Sequence, residues 1–357
     1  MQNNAPFQFD PAKALGEMLA FQRKLAAGLA TLRGMPEPEY ANTPRELVYS
    51  EDKLKVWHFK GDQPPTAKTP MLIVYALVNT VWMTDLQADR SMVRNLLAQG
   101  EDVYLIDWGY PDRADRWLTL DDYINGYLDH CVDAVRQQCG LDAINLLGIC
   151  QGGAFSLCYT ALHADKVKNL VTMVTPVDFH TPDNMLSSWT RQLDVDQFVD
   201  AMGNIPAALM NHVYLSLKPV RLNQQKYVGL VDILDSPVEL QNFLRMERWI
   251  FDSPDQAGEA FREFIKEFYQ GNKLIKGTLE IGGRRVDLGA ITQPVLNVFA
   301  EQDHLVPPDA ARALGKHIGS KDYTQLAFKG GHIGIYVSSR AQREVPPAIH
   351  DWLQARS

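Results

Sequence analysis

The chain has 357 residues, 46% of them hydrophobic, and 43 acidic against 35 basic side chains, for a formal net charge of −8. That length and apolar content can bury one elaborated domain or a domain with an insertion, which excludes a disordered chain. The acidic balance, with no basic run interleaved with aromatics, argues against nucleic acid as a partner, and an anionic substrate would need local cations.

No run of eighteen uninterrupted apolar residues occurs, and the start Met1-Gln2-Asn3-Asn4-Ala5-Pro6 lacks the basic and apolar blocks of a secretory signal. A cytoplasmic protein without a transmembrane segment is therefore expected. The four cysteines, Cys131, Cys139, Cys150 and Cys158, contain no CxxC pair. Neither a metal site, a disulfide framework nor a bound cofactor is expected, and three of them read as small core residues.

In chain order, Leu15, Met18, Leu25, Leu29 and Leu32 recur at helical spacing between Pro11 and Arg33, followed by Gly34, Pro36 and Pro38. This predicts an amphipathic helix within an N-terminal segment, 1–40. Glu46 to Tyr49 and Leu54 to Phe59, split by Ser50-Glu51-Asp52-Lys53, predict an antiparallel hairpin. Strand and helix patterns then alternate: Met71 to Tyr75, a helix around Met92 to Gln99, Val103 to Ile106, a helix from Leu120 to Gln138, and a strand at Ala143 to Leu147. Such alternation implies a parallel sheet. After Leu170 to Thr175 the next comparable strand begins near Val295, and the Met- and aromatic-rich helical sequence between them predicts a cap inserted at 176–277. A hairpin around Gly282-Gly283 returns the chain to the core, which comprises 41–175 and 278–357.

The strand at Ala143 to Leu147 runs into Gly148-Ile149-Cys150-Gln151-Gly152-Gly153 and a helix pattern from Ala154 to Tyr159. A nucleophile on a tight strand-to-helix turn flanked by glycines is the elbow of the α/β-hydrolase fold, here with cysteine where serine is usual. A helix N-terminus favours the thiolate. Downstream, Asp303 follows the strand beginning at Val295, and His332 follows Phe328-Lys329-Gly330-Gly331. The order nucleophile, acid, histidine is that of α/β-hydrolases, so Cys150, Asp303 and His332 are read as a triad. The plainer alternatives are a structural cysteine at a turn, an Asp303 that caps the Pro307-Pro308 turn, and a His332 in a solvated loop. Oxyanion donors are expected from the backbone N–H of Gln151 and, in the loop Tyr75-Ala76-Leu77-Val78-Asn79-Thr80, of Val78. Asp107 reads as a turn cap, Asp178 as a holder of loop geometry and Cys158 as core. A cysteine exchanges one thioester for another at little cost, and a cap that excludes water favours transfer over hydrolysis.

The elbow, together with Tyr104-Leu105-Ile106-Asp107-Trp108-Gly109, Val78-Asn79-Thr80 with Asp85-Leu86, Val174-Thr175-Pro176-Val177-Asp178-Phe179, Asp303-His304-Leu305-Val306-Pro307-Pro308 and Gly330-Gly331-His332, resembles the polyhydroxyalkanoate synthases over nearly the whole chain. With only about forty residues before the first strand, it is similar to the short catalytic subunit of the two-component, class III enzymes. The resemblance implies polymerisation of (R)-3-hydroxyacyl-CoA, chiefly 3-hydroxybutyryl-CoA, into polyester with release of CoA, the thioester being a substrate and not a cofactor. It implies that Cys150 carries the growing chain, that His332 deprotonates it, and that Asp303 helps activate the attacking 3-hydroxyl. It also implies a homodimer, a second non-catalytic (PhaE-type) subunit and association with the polymer granule. Two rivals are a cysteine hydrolase resembling dienelactone hydrolase, whose chains are short and lack such a cap, and a ligand receptor that keeps the fold without turnover.

Overall fold

Eight strands form the main sheet: β1 (Arg45–Glu51), β2 (Leu54–Phe59), β3 (Met71–Val74), β4 (Val103–Asp107), β5 (Ile144–Ile149), β6 (Val167–Met173), β7 (Val295–Ala300) and β8 (Tyr323–Phe328). The structure is a computed structural model that describes residues 11–40, 42–220 and 226–357. The first ten residues of the expected N-terminal segment, residue 41 at the expected start of the core, and residues 221–225 of the expected cap lie outside the described residues.

The spatial order is β1-β2-β4-β3-β5-β6-β7-β8. β1 and β2 form the expected antiparallel hairpin, and β2 is antiparallel to β4. From β4 to β8 every neighbouring pair is parallel. Every residue of β3, β5 and β7 is buried, the mark of a sheet covered on both faces, whereas edge strand β8 alternates between covered and open positions. The chain runs from β3 outward to β4 and then returns to place β5 on the other side of β3. That reversal opens a crevice beyond the carboxyl ends of β3 and β5, the place where open α/β sheets bind ligands.

The flanking helices include α2 (Met92–Ala98), α3 (Asp129–Cys139), α4 (Gln151–Leu162) and α5 (Ser339–Gln354); α1 (Pro11–Gly34) precedes the sheet in the chain and belongs to a separate unit. Between β6 and β7 the described chain is mostly helical, as expected, with helices at Met185–Thr190, Val195–Met202, Ala207–Ser216, Pro237–Phe251 and Gly258–Glu263 and a wider π-turn segment at Phe264–Gln270. The hairpin after it pairs Glu280–Ile281 with Arg284–Arg285 through Gly282 and Gly283, both left-handed at φ 56° and 72°.

Contacts divide the chain into two compact units. The smaller comprises, among the described residues, 11–39, 218–220 and 226–248. In it α1 approaches so closely that a Cβ on Gly28 would fall 2.5 Å from the Cβ of Leu234, while Arg245 Nε donates to the Glu39 carbonyl at 2.7 Å. The larger comprises residues 40–217 and 249–357, and holds the whole sheet and the rest of the inserted helices. Among the latter, Val195, Val199, Ile205 and Ile265 form a small core, and Arg262 bridges Asp196, Asp200 and Glu259. Among the described residues, no helix is long and apolar enough to cross a membrane.

Candidate active site

Cys150 stands between β5 and α4 with φ 55° and ψ −122°, a conformation that side-chain-bearing residues rarely adopt, and its N–H donates to the Met173 carbonyl at 2.9 Å. The glycines around it are required by close approach. A Cβ on Gly152 would sit 2.2 Å from the Val74 carbonyl oxygen, and one on Gly153 would sit 1.8 Å from Thr175 Oγ1. The start of α4 is thereby pressed against the carboxyl ends of β3 and β6. Cys150 itself is partly exposed and packs beside Phe299, Val306, Ala310 and Ala311.

Asp303 lies in the turn after β7, buried. Its Oδ1 accepts from the N–H groups of Leu305 (2.8 Å) and Val306 (3.0 Å), and its Oδ2 accepts from His332 Nδ1–H at 2.6 Å. Asp303 therefore both organises its turn and holds the imidazole. The turns after β7 and β8 are tied together by Glu301 N–H to the Phe328 carbonyl (2.9 Å) and Gln302 N–H to the Gly330 carbonyl (2.8 Å). With Nδ1 engaged, Nε2 is the ring nitrogen left for the thiol. Burial alone would lower the His332 pKa, but the charges of Asp303 and Cys150, with a hydrogen bond from each, more than offset it and raise it from 6.5 to about 10. His332 is buried, not in a solvated loop.

The loop after β3 is held from several sides. Leu77 N–H donates to Gln151 Oε1 at 3.0 Å, and the Leu77 carbonyl accepts from Gln256 Nε2 at 2.8 Å. Trp108 Nε1 reaches the Tyr75 carbonyl and Trp249 Nε1 the Thr80 carbonyl, each at 2.9 Å. The backbone N–H groups of Val78 and Gln151, the two expected oxyanion donors, bond to no other group among the described residues.

Four tyrosines, Tyr75, Tyr214, Tyr269 and Tyr336, are coupled electrostatically to Cys150. Each hydroxyl is pushed to a higher pKa by burial first, followed by Cys150 for Tyr75 and Tyr214, by Tyr214 and then Cys150 for Tyr269, and by Tyr75 and then Cys150 for Tyr336. The Tyr336 ring meets His332 and Tyr75 edge-on at 6.2 and 6.4 Å, and its hydroxyl has no hydrogen-bond partner among the described residues. Sequence reasoning missed all four tyrosines and both Gln256 and Trp249. Only two carried a signal: Tyr75 opens the loop that contains Val78, and Tyr336 follows His332 by one helical turn.

The remaining singled-out residues are structural. Asp107 Oδ1 accepts from Gly109 N–H at 3.1 Å, capping its turn. Asp178 accepts from His180 N–H (2.9 Å) and Asn272 Nδ2 (2.8 Å), holding its loop. Asp85 is buried and accepts from Thr43 and Ser91. Cys131 and Cys158 are buried, with burial raising both thiol pKa values, and Cys139 is half-buried beside Tyr104. Among the described residues, no group of His, Cys, Asp and Glu could hold a metal ion.

Residues 69–339 match the model of the α/β hydrolase fold family. A solved monoacylglycerol lipase from Paleococcus ferrophilus shares this fold at a TM-score of 0.53 and 16% identity, covering 85% of this chain and 99% of its own. The poly(3-hydroxyalkanoate) polymerase subunit PhaC of Allochromatium vinosum is 60% identical over 98% of this chain and 99% of its own length. The chain belongs to the PhaC family. A second PhaC, from Thiocystis violacea, is 58% identical over 99% of both chains. The PhaC likeness thus runs through both compact units and the inserted helices, whereas the α/β hydrolase match stops short of either end.

Proposed function

We propose that the chain is an acyltransferase that polymerises (R)-3-hydroxyacyl-CoA, chiefly 3-hydroxybutyryl-CoA, into polyhydroxyalkanoate with release of CoA. The observation that carries this is a partly exposed cysteine on a strand-to-helix elbow, beside a histidine whose far nitrogen is held at 2.6 Å by a buried carboxylate, in a chain 60% identical to a polymerase subunit.

In the first step Cys150 Sγ gives its proton to His332 Nε2 and attacks the thioester carbonyl. The tetrahedral oxyanion accepts hydrogen bonds from Val78 and Gln151 N–H. Collapse breaks the bond to the CoA sulfur, which takes the proton from His332 and leaves as the free thiol. In the second step the 3-hydroxyl of another hydroxyacyl group gives its proton to His332 and attacks the acyl carbonyl on Cys150. An ester forms, the Cys150 thiolate leaves, and the chain is longer by one unit. Asp303 orients His332 in both steps and, with it, activates the hydroxyl in the second.

The inserted residues of the larger unit, 176–217 and 249–277, act as the cap, whose tyrosines and apolar side chains limit water around the acyl-cysteine so that the hydroxyl and not water attacks. The working assembly is a homodimer with a second, non-catalytic subunit, in the cytoplasm at the surface of the polymer granule. Incubation with 3-hydroxybutyryl-CoA tests the reading. Release of CoA with insoluble polyester, both absent in Cys150→Ala, is the expected result. Release of CoA with free 3-hydroxybutyrate and no polymer would make the chain a cysteine hydrolase. Absence of any acyl adduct on Cys150 would make it a receptor.

A further inference from the structure

The Leu77 carbonyl and the Val78 N–H belong to one peptide group. That group is trans, since no cis peptide occurs among the described residues, so its carbonyl and N–H point in opposite directions within one plane. Whatever holds the Leu77 oxygen therefore also sets the direction of the Val78 N–H. The holder is Gln256 Nε2, at 2.8 Å.

Gln256 is buried, and its own backbone is anchored among the inserted helices. It exchanges two hydrogen bonds of 2.9 Å with Ile205, and Ile205 lies in the small core with Val195, Val199 and Ile265. Further along the same segment Ser253 Oγ accepts from Asn79 Nδ2 at 2.8 Å and Trp249 holds the Thr80 carbonyl. One inserted segment thus grips the loop after β3 at three consecutive positions other than Val78: Leu77, Asn79 and Thr80.

We propose that Gln256 is the positioning residue of the oxyanion hole, fixing the Val78 N–H toward the developing charge and making that donor dependent on the seating of the inserted helices. The proposal rests on the reading of Val78 as an oxyanion donor. Without the Gln256 amide the peptide is free to rotate, and rotation by half a turn would present a carbonyl in place of the N–H. The inserted helices then do more than cover the site: an unseated Trp249–Gln256 segment leaves the thiol, the imidazole and Gln151 in place and the oxyanion hole half-formed.

The variants are Gln256→Met, which keeps length and volume without the donor, and Gln256→Glu, which replaces the donor by a group that repels the carbonyl. Two reactions of Cys150 are compared by mass spectrometry: acylation by 3-hydroxybutyryl-CoA, which passes through an oxyanion, and alkylation by iodoacetamide, a direct displacement that does not. Acylation should fall by about 10- to 100-fold in Gln256→Met and further in Gln256→Glu, with KM changed less than kcat, by analogy with loss of an oxyanion donor. Alkylation should stay at the wild-type rate in both. Unchanged acylation in either variant, or parallel loss of acylation and alkylation, would overturn the proposal. Failure of the wild-type chain to become acylated would instead overturn the functional reading on which it rests.

Discussion

On the sheet side of the site, Cys150, Asp303 and His332 each follow closely on a strand, and their positions are set largely by main-chain bonds: Cys150 N–H to Met173, Asp303 N–H to Ala300, and the turns after β7 and β8 to each other. On the cap side, Tyr214, Tyr269 and Gln256 come from helices and an isolated bridge, and the loop after β3 is held by side-chain bonds: Gln256 to Leu77, Trp249 to Thr80, and Asn79 to Ser253. The sheet side inherits rigidity from a buried ladder, where displacing one residue disturbs every neighbour. The inserted helices share the main core through Phe264 and Phe268, but their hold on the loop after β3 consists of a few separable bonds, each worth about 0.5–1.5 kcal/mol. Changes on the first side should therefore stop the chemistry outright, and changes on the second should tune it.

The sharpest contrast comes from removing triad side chains. Cys150→Ser and His332→Gln should each lower CoA release by on the order of 10³-fold or more, because the same thiol and base serve both steps. A His332→Gln variant with more than a few per cent of wild-type turnover would show that the imidazole is not the base. Asp303→Asn should separate the steps: Cys150 still becomes acylated but extends slowly, so acyl-enzyme accumulates in the mass of the intact protein after one addition of substrate. Equal loss of both steps would confine Asp303 to orienting His332.

Stability offers a second way to break the comparison. Gly153→Ala drives a methyl into Thr175 and should cost roughly 1–3 kcal/mol in denaturant unfolding, together with loss of acylation as the elbow shifts. The His332 pKa is raised on folding, from 6.5 to about 10, so its contribution to stability is complete below pH 6.5 and is lost as pH rises through about 10. Wild type should thus lose more stability than His332→Gln between those limits, and identical pH dependence of the two unfolding curves would remove the pairing of His332 with Asp303 and Cys150. The smallest effect belongs to Tyr214→Phe, which keeps the ring and removes one hydroxyl: CoA release should change by less than about tenfold and the melting temperature hardly at all. A loss comparable with that of His332→Gln would place Tyr214 in the chemistry and erase the distinction between the two sides.

Much of this architecture is legible without coordinates because it depends on neighbours in the chain. β3 is an apolar run and β5 and β7 are mostly apolar, interrupted by Asn145 and Asn297, Gly282-Gly283 supplies left-handed residues for a hairpin, and the glycines around Cys150 mark a turn that a side chain would block. Elsewhere local signals mislead or fall silent. Pro346 and Pro347 argue against a helix, yet α5 runs through both, because Ala341, Val345, Pro346, Ile349, Trp352 and Leu353 bury one face of it. Val174, a β-branched residue, takes φ 44° because its N–H is fastened to the Val298 carbonyl at 2.8 Å. What the sequence by itself determined is the strand ladder, the elbow and the order of the triad, each encoded in contiguous residues by spacing and backbone sterics. Only the tertiary structure decided that Asp303 both caps a turn and holds His332, that four tyrosine hydroxyls feel the charge of Cys150, and that Gln256 orients the peptide before Val78, because such meetings depend on sheet register and on segments far apart in the chain.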